Sequence, residues 1–303
     1  MASVNNMIDE KISEILGKYK RNKHRYITNL VISGGGIKGI AELGTLKILS
    51  EAGHLKYINK IAATSIGALI GILYCAGYSF SNLYEIFSLI NIDAMIKIDP
   101  VKLLKNFSLD DGAGIKCILC KLLKDKNIDE TITFKQLYDM SKIEINVNSA
   151  CLNDGEIYYF SHKLSPNMPI VKAALMSCAL PIIFPPIEHD GKMFVDGGCI
   201  ENYPIGIFND DLDRTLGILL KSTTPYRPNP KNMEDFFFSL VDCLMEGAVF
   251  GCFRQYENQT ILVTCPSVNV SGIGVSDKVK MDLFNIGIEE GKKYLNNIKQ
   301  TKK

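Results

Sequence analysis

The sequence predicts an α/β fold built on a mostly parallel central sheet with both faces covered, and three observations lead there. Short apolar runs alternate with stretches of helical periodicity in the order strand, helix, strand, helix over residues 26–78. The runs are apolar along their length, as strands buried on both faces of a parallel sheet must be. Finally, 303 residues that are 47% hydrophobic and 22% charged suffice for one large core.

Taken in order, residues 6–20 carry Met7, Ile8, Ile12, Ile15 and Leu16 at helical spacing and predict an amphipathic helix. A basic run follows, with Lys18, Lys20, Arg21, Lys23 and Arg25. Such a run is most simply a solvated face, and a peripheral contact with anionic lipid is the sharper alternative. Residues 26–33, "YITNLVIS", read as a buried strand, and "GIAELGTLKILSEAG" reads as a helix stopped by Gly53. "INKIAATS" is a second strand ended by Ser65, and an apolar helix over 67–78 begins at once. The uncharged stretch from Ile61 to Tyr84 has the length of a membrane span. Its polar start and Gly67, Gly71 and Gly77 favour a strand, a turn and a buried helix.

Residues 79–142 are mostly helical, with a capping-like "TFKQLYDM" at 133–140. "KIEINVNSACLN" and "EIYYFS" form a hairpin around Asp154 and Gly155, and "MPIVKAALMSCAL" reads as a helix. "PIIFPPIEHDGKMFVDGG" is a second hairpin, turning at Asp190 and Gly191. "TLGILLK", a Phe-rich helix near 233–250, "QTILVTC" and a closing helix near 276–296 complete one domain. The expected organisation is an N-terminal amphipathic and basic segment over 1–25, a single domain over 26–297 and a basic tail over 298–303.

Charge and cysteine usage narrow the class. Lys plus Arg total 34 against 33 Asp plus Glu, a formal charge of +1, so no nucleic-acid partner is expected. The N-terminus lacks the apolar core and cleavage site of a secretory signal, so a cytoplasmic location is expected, with the basic segment as the route to a membrane surface. Nine cysteines fit that location. Cys75, Cys151, Cys178, Cys199, Cys243 and Cys265 stand in apolar or small-residue contexts, and the CxxC of Cys117 and Cys120 is expected to pack in the core of its helix. No calcium loop or zinc ligand set is present, and no metal or cofactor is expected.

The chemistry gathers at three places. "VISGGGIKGI", residues 31–40, satisfies GxGxxG through Gly34, Gly36 and Gly39. A dinucleotide site would need an acid at the end of the second strand, which instead ends in Thr64 and Ser65. A nucleotide-phosphate loop would need Lys then Ser or Thr after the last glycine, but Gly39 precedes Ile40 and Ala41. "ATSIG", Ala63 to Gly67, is nearly GxSxG, the turn that lifts a serine hydroxyl above a sheet. Ala63 replaces the first glycine, which is tolerable where the backbone there is not left-handed. Adjacent parallel strands put Ser65 and the glycine loop at one sheet edge, where bare glycine amides can receive the oxyanion formed when a serine attacks an ester.

A serine nucleophile needs a base. His24 and His54 read as surface residues, and His162 follows a hairpin strand. The second hairpin pairs His189 with Lys192 and sets Asp196 opposite Pro185, roughly 13 Å along the strands from His189, so those two do not act together. Asp196 heads "DGG" at a strand end, where it is locally a turn former.

The order GGGxKG, near GxSxG and DGG resembles the patatin-like phospholipase family. The resemblance extends over residues 26–220, through "KAALMSCALPIIFPP" and the Asn-x-Pro in "ENYPI". It implies a three-layer α/β sandwich related to the α/β-hydrolase architecture, and a Ser–Asp dyad in place of a triad. On that resemblance Ser65 is the nucleophile, Asp196 its base, Ala63 and Gly67 flank the nucleophile elbow, and Gly34, Gly35, Gly36, Lys38 and Gly39 form the oxyanion-hole segment, with donors around Gly35 and Gly36. The expected activity is metal-independent hydrolysis of phospholipid acyl esters through an acyl-enzyme. A hydrolase of neutral lipids or other acyl esters, and a catalytically silent lipid-binding scaffold, are the alternatives.

Overall fold

Eight strands form one mixed sheet in the computed structural model, which describes residues 26–91, 99, 105–223, 229–250, 253–268, 272 and 274–300. The expected helix over 6–20, the basic run, His24, Cys252 and residues 301–303 lie outside these. Along the chain the strands are β1 (Asn29–Ile32), β2 (Lys60–Ala63), β3 (Glu144–Cys151), β4 (Ile157–Phe160), β5 (Ile187–His189), β6 (Lys192–Asp196), β7 (Thr215–Ser222) and β8 (Thr260–Cys265). The helices are α1 (Gly39–Glu51), α2 (Ile66–Cys75), α3 (Phe80–Leu89), α4 (Ala113–Asp125), α5 (Phe134–Ser141), α6 (Ile170–Ser177), α7 (Met233–Phe250) and α8 (Asp277–Gln300), the last passing the expected boundary at 297.

The sheet order is β5-β6-β3-β2-β1-β7-β8, with β4 also on β3. The five strands from β3 to β8 run parallel, while β4 and β6 are antiparallel to β3. Alternate residues of the parallel strands enter different cores, as the pleat requires. Leu30 and Ile32 join Ile61, Ala63, Val147, Ile218 and Leu220 in a large cluster under the helices. Val31, Ala62 and Leu219 face the other way, onto Tyr203, Ile205, Phe208 and Tyr256. The chain is therefore an α/β fold with both sheet faces covered.

Both hairpin turns use left-handed backbone at the expected residues, Gly155 at φ 73°, and Asp190 and Gly191 at 50° and 73°. Thr133 and Gln136 form the reciprocal cap of α5. The uncharged stretch from Ile61 divides into β2, the buried α2 and the start of α3. Among the described residues no helix is long and apolar enough to cross a membrane.

Two expectations differ. Cys117 is exposed and Cys120 half-buried, because α4 buries the stripe of Leu119 and Leu123, and Cys117 lies off it. Cys243 is also exposed and Cys199 half-buried, whereas Cys75, Cys151, Cys178 and Cys265 are buried. The second hairpin stops at the Ile187 to Phe194 pair, so Asp196 does not face Pro185. Pro185 and Pro186 lack the N–H groups that would extend the ladder. The cross-strand partner of Asp196 is Ser149.

Candidate active site

The meeting of Ser65 and Asp196 follows from how β3 shares its edges. β2 pairs along residues 144–147, β4 along 147–150 and β6 along 149–151. β4 and β6 overlap on β3, so they occupy opposite edges, and β6 continues the edge that β2 leaves. Antiparallel to β2, β6 runs toward it and both end at the same place. Ala63 stands opposite Val147 and Asp196 opposite Ser149, so Ser65, two positions past Ala63, comes level with Asp196.

There the Ser65 hydroxyl donates to Asp196 Oδ2 at 2.6 Å. The other oxygen, Oδ1, accepts the Gly198 N–H at 2.8 Å. Ser65 sits at φ 54° and ψ −123°, a conformation costly for a residue with a Cβ. Its own amide donates to Ser177 Oγ at 2.8 Å, which fastens the bend to the end of α6. Gly67 lets α2 start directly against β1, since a Cβ there would lie 2.6 Å from the carbonyl oxygens of Ile32 and Ser33. Ala63, inside β2, is absent from the positive-φ residues, so its methyl costs the turn nothing. Ser149 Oγ donates to Val195 O at 2.6 Å and steadies the strand that carries Asp196.

Burial pushes the Asp196 carboxyl up to about 7, against the opposing pull of the donors Ser65 and Gly198. Burial likewise raises the Cys178 thiol, which contacts Ser65, well above its ordinary value and the Cys199 thiol to about 12, so both stay neutral beside the pair. None of the ring or ion contacts of the described histidines reaches it. His162 stacks on Tyr138 at 3.8 Å between centroids, His54 lies edge-on to Tyr294, and His189 Nε2 is 3.6 Å from Asp190 Oδ2.

The glycine loop lies beside Ser65. A Cβ on Gly34 would be 3.3 Å from Ser65 Cβ and 2.2 Å from Asn202 Oδ1, so only glycine fits that approach. The main chain of Gly34 is clamped by Asn202, whose carbonyl accepts the Gly34 N–H at 3.0 Å and whose side-chain amide donates to Gly34 O at 3.1 Å. The Lys38 N–H bonds Gly35 O and that of Gly39 bonds Gly36 and Ile37 carbonyls. Lys38 Nζ donates to Ser222 Oγ at 3.0 Å. Of the five loop residues singled out in the sequence, Gly35 and Gly36 are the two whose amides meet no protein acceptor among the described residues. The sequence reading missed Ser177, although it lies inside "KAALMSCALPIIFPP", and Ser149, whose neighbours carry no motif. Among the described residues no group of three or more His, Cys, Asp or Glu side chains could hold a metal ion.

A mostly parallel α/β sheet with a serine on a strand-to-helix bend, a buried carboxyl against it and a glycine loop alongside defines a hydrolase-like architecture. The family model for patatin-like phospholipase matches residues 30–209, and the chain belongs to that family. It is 32% identical over 289 residues to the uncharacterized protein R571 of Acanthamoeba polyphaga mimivirus, covering 91% of this chain and 96% of the relative. It is 28% identical over 279 residues to the probable lipid hydrolase 463L of Invertebrate iridescent virus 6, covering 88% and 89%. Its fold is similar to that of VipD from Legionella pneumophila, with a TM-score of 0.67 at 15% identity over 90% of this chain and 67% of that one.

Proposed function

We propose that the protein is a lipid acyl hydrolase of phospholipase A type that works through a Ser–Asp dyad and an acyl-enzyme. The observation that carries this reading is the 2.6 Å hydrogen bond from Ser65 to a buried carboxyl, with no histidine bonded to either group among the described residues. A base whose pKa stands near 7 is matched to proton transfer at neutral pH. Family membership and the lipid-hydrolase relative support the substrate class.

In this mechanism Ser65 Oγ attacks the ester carbonyl carbon while its proton passes to Asp196. The carbonyl oxygen becomes an oxyanion that takes hydrogen bonds from the Gly35 and Gly36 amides, donors typically worth about 2.7–4 kcal/mol each. The ester C–O bond breaks and the lyso-lipid alcohol leaves with the proton from Asp196. Water then attacks the serine ester and gives its proton to Asp196. The fatty acid departs as that proton returns to Ser65.

The test is fatty-acid release from phosphatidylcholine vesicles and from triacylglycerol emulsions by the wild-type and Ser65→Ala proteins, alongside labelling by a fluorophosphonate. Release from vesicles and labelling, both lost in Ser65→Ala, are expected. Release from triacylglycerol alone turns the reading to neutral lipids, and folded protein that neither labels nor hydrolyses is a silent scaffold. Full activity in Ser65→Ala removes the dyad.

A further inference from the structure

Three glycines in succession make a poor scaffold for fixed donors, because glycine loses more conformational freedom on ordering than any other residue. Oxyanion donors help only when they are held in place before the reaction. Asn202 holds the Gly34 end of the loop, and a second restraint lies behind it.

Glu42, in the first turn of α1, is fully buried. Its Oε1 accepts both the Ser33 N–H at 3.0 Å and the Ser33 hydroxyl at 2.8 Å. Ser33 Oγ in turn accepts the Leu220 N–H of β7 at 3.1 Å. The Leu220 side chain backs the loop, since a Cβ on Gly35 would lie 2.5 Å from Leu220 Cδ1. Glu42 Oε2 is buried with no partner, and no cation pairs with Glu42 among the described residues. Burial holds the carboxyl well above the ordinary carboxylate range, with the two Ser33 donors pulling it back. A buried acid with one oxygen unpartnered is destabilising by itself. What it achieves is local: it joins the residue before Gly34 to the helix that begins at Gly39, closing the chain between them into a ring.

We infer that Glu42 is a positioning residue that clasps the glycine loop shut through Ser33, so that the Gly35 and Gly36 amides stay aimed beside Ser65. The catalytic part of this inference rests on the proposed hydrolase reading, whereas the clasp itself does not. Gln at position 42 keeps an acceptor for both Ser33 donors, whereas Ala keeps none and leaves the Ser33 N–H only its second acceptor, Ile218 O at 3.2 Å.

Two measurements on Glu42→Ala, Glu42→Gln and the wild-type chain test it: amide hydrogen exchange of the peptide spanning 33–41, and kcat and KM on a p-nitrophenyl acyl ester. Glu42→Ala is expected to exchange faster across that peptide and to lose roughly tenfold or more in kcat with KM within about twofold, and Glu42→Gln to recover kcat to within about threefold of wild type. Unchanged exchange in Glu42→Ala overturns the clasp. Faster exchange with unchanged kcat, or a Glu42→Gln protein as slow as Glu42→Ala, overturns the positioning role. If Glu42→Ala does not fold, Ser33→Ala, which removes only the hydroxyl bonds, carries the same two readouts, and its matching wild type in both would overturn the proposal. A wild-type chain inactive on every ester would sink the hydrolase reading instead, while exchange would still decide the clasp.

Discussion

Ser65 and Asp196 meet at one hydrogen bond, yet the fold prepares them by opposite means. Ser65 is carried by the parallel part of the sheet, and its main chain is bent to φ 54° to lift the hydroxyl. Asp196 arrives on the antiparallel β6 with ordinary backbone angles, φ −48° and ψ 128°, but its carboxyl is buried with only two donors. One side of the site carries conformational strain, the other a desolvated acid. Both cost stability, and each is relieved by a different substitution: a residue without Cβ for the serine, a side chain without charge for the aspartate. The comparison can therefore be broken one side at a time.

The largest effects concern chemistry. Ser65→Ala and Asp196→Asn should each lower kcat/KM by about a thousandfold or more, and the double variant should be no worse than either, because in the proposed dyad the two groups act as one unit. Additive losses measured on a soluble acyl ester would break the pairing. The wild-type profile should follow ionisation of the base, with kcat/KM rising as pH increases through about 7 and levelling above it. A flat profile from pH 5 to 9 would remove Asp196 as the base.

Stability supplies the next effect, and its sign is opposite to that of activity. The Asp196 pKa is higher in the folded chain, about 7, than its usual 3.8. The folded state therefore binds the extra proton between those values. This group's contribution is fully present below about pH 4 and is lost as pH rises through 7. Asp196→Asn should thus be more stable than wild type at pH 8, by at most about 4 kcal/mol, with the advantage shrinking toward pH 4. The amide can direct its oxygen to the Gly198 N–H and its NH2 to Ser65 Oγ, so no bond need be left open. Urea melts at pH 4 and pH 8 test this, and a variant less stable than wild type at pH 8 would contradict the desolvated state of the carboxyl.

The two sides also differ in how well they can be read from the chain. The glycine loop, "TSIG" and "DGG" are local solutions to local backbone demands, so each is visible within a few residues. The distance of His189 from the site was legible too, because a two-residue Asp-Gly turn sets the hairpin register. Less visible was how β3 lines up Ser65 with Asp196. One edge of β3 serves β2 and then β6, and that handover depends on pairings between segments more than forty residues apart. Ser177 and Ser149 support the site through single hydroxyls, in sequence contexts shared by any small residue in a helix or strand. Cys117 was misplaced because small apolar residues beside a helical stripe give no sign of which face they take.

The smallest effect isolates the strain at Ser65. Ser65→Ala and Ser65→Gly remove the same hydroxyl and leave Asp196 without the same donor, so their difference reports the backbone alone. At φ 54° and ψ −123° a Cβ is unfavourable by about 1–3 kcal/mol, and glycine returns part of that relief through its greater freedom when unfolded, roughly 0.5–1 kcal/mol. Ser65→Gly should therefore be more stable than Ser65→Ala by about 1 kcal/mol in urea melts at one pH. Ala63→Gly provides the internal contrast. Ala63 is buried and extended in β2, so glycine there gains no relief and should destabilise by about 0.5–1 kcal/mol through lost packing and added freedom. Opposite signs for an alanine-to-glycine change two residues apart would locate the strain in the elbow itself. The same sign at both positions would mean that the bend is set by the hydrogen bonds around Ser65 at no cost to its main chain.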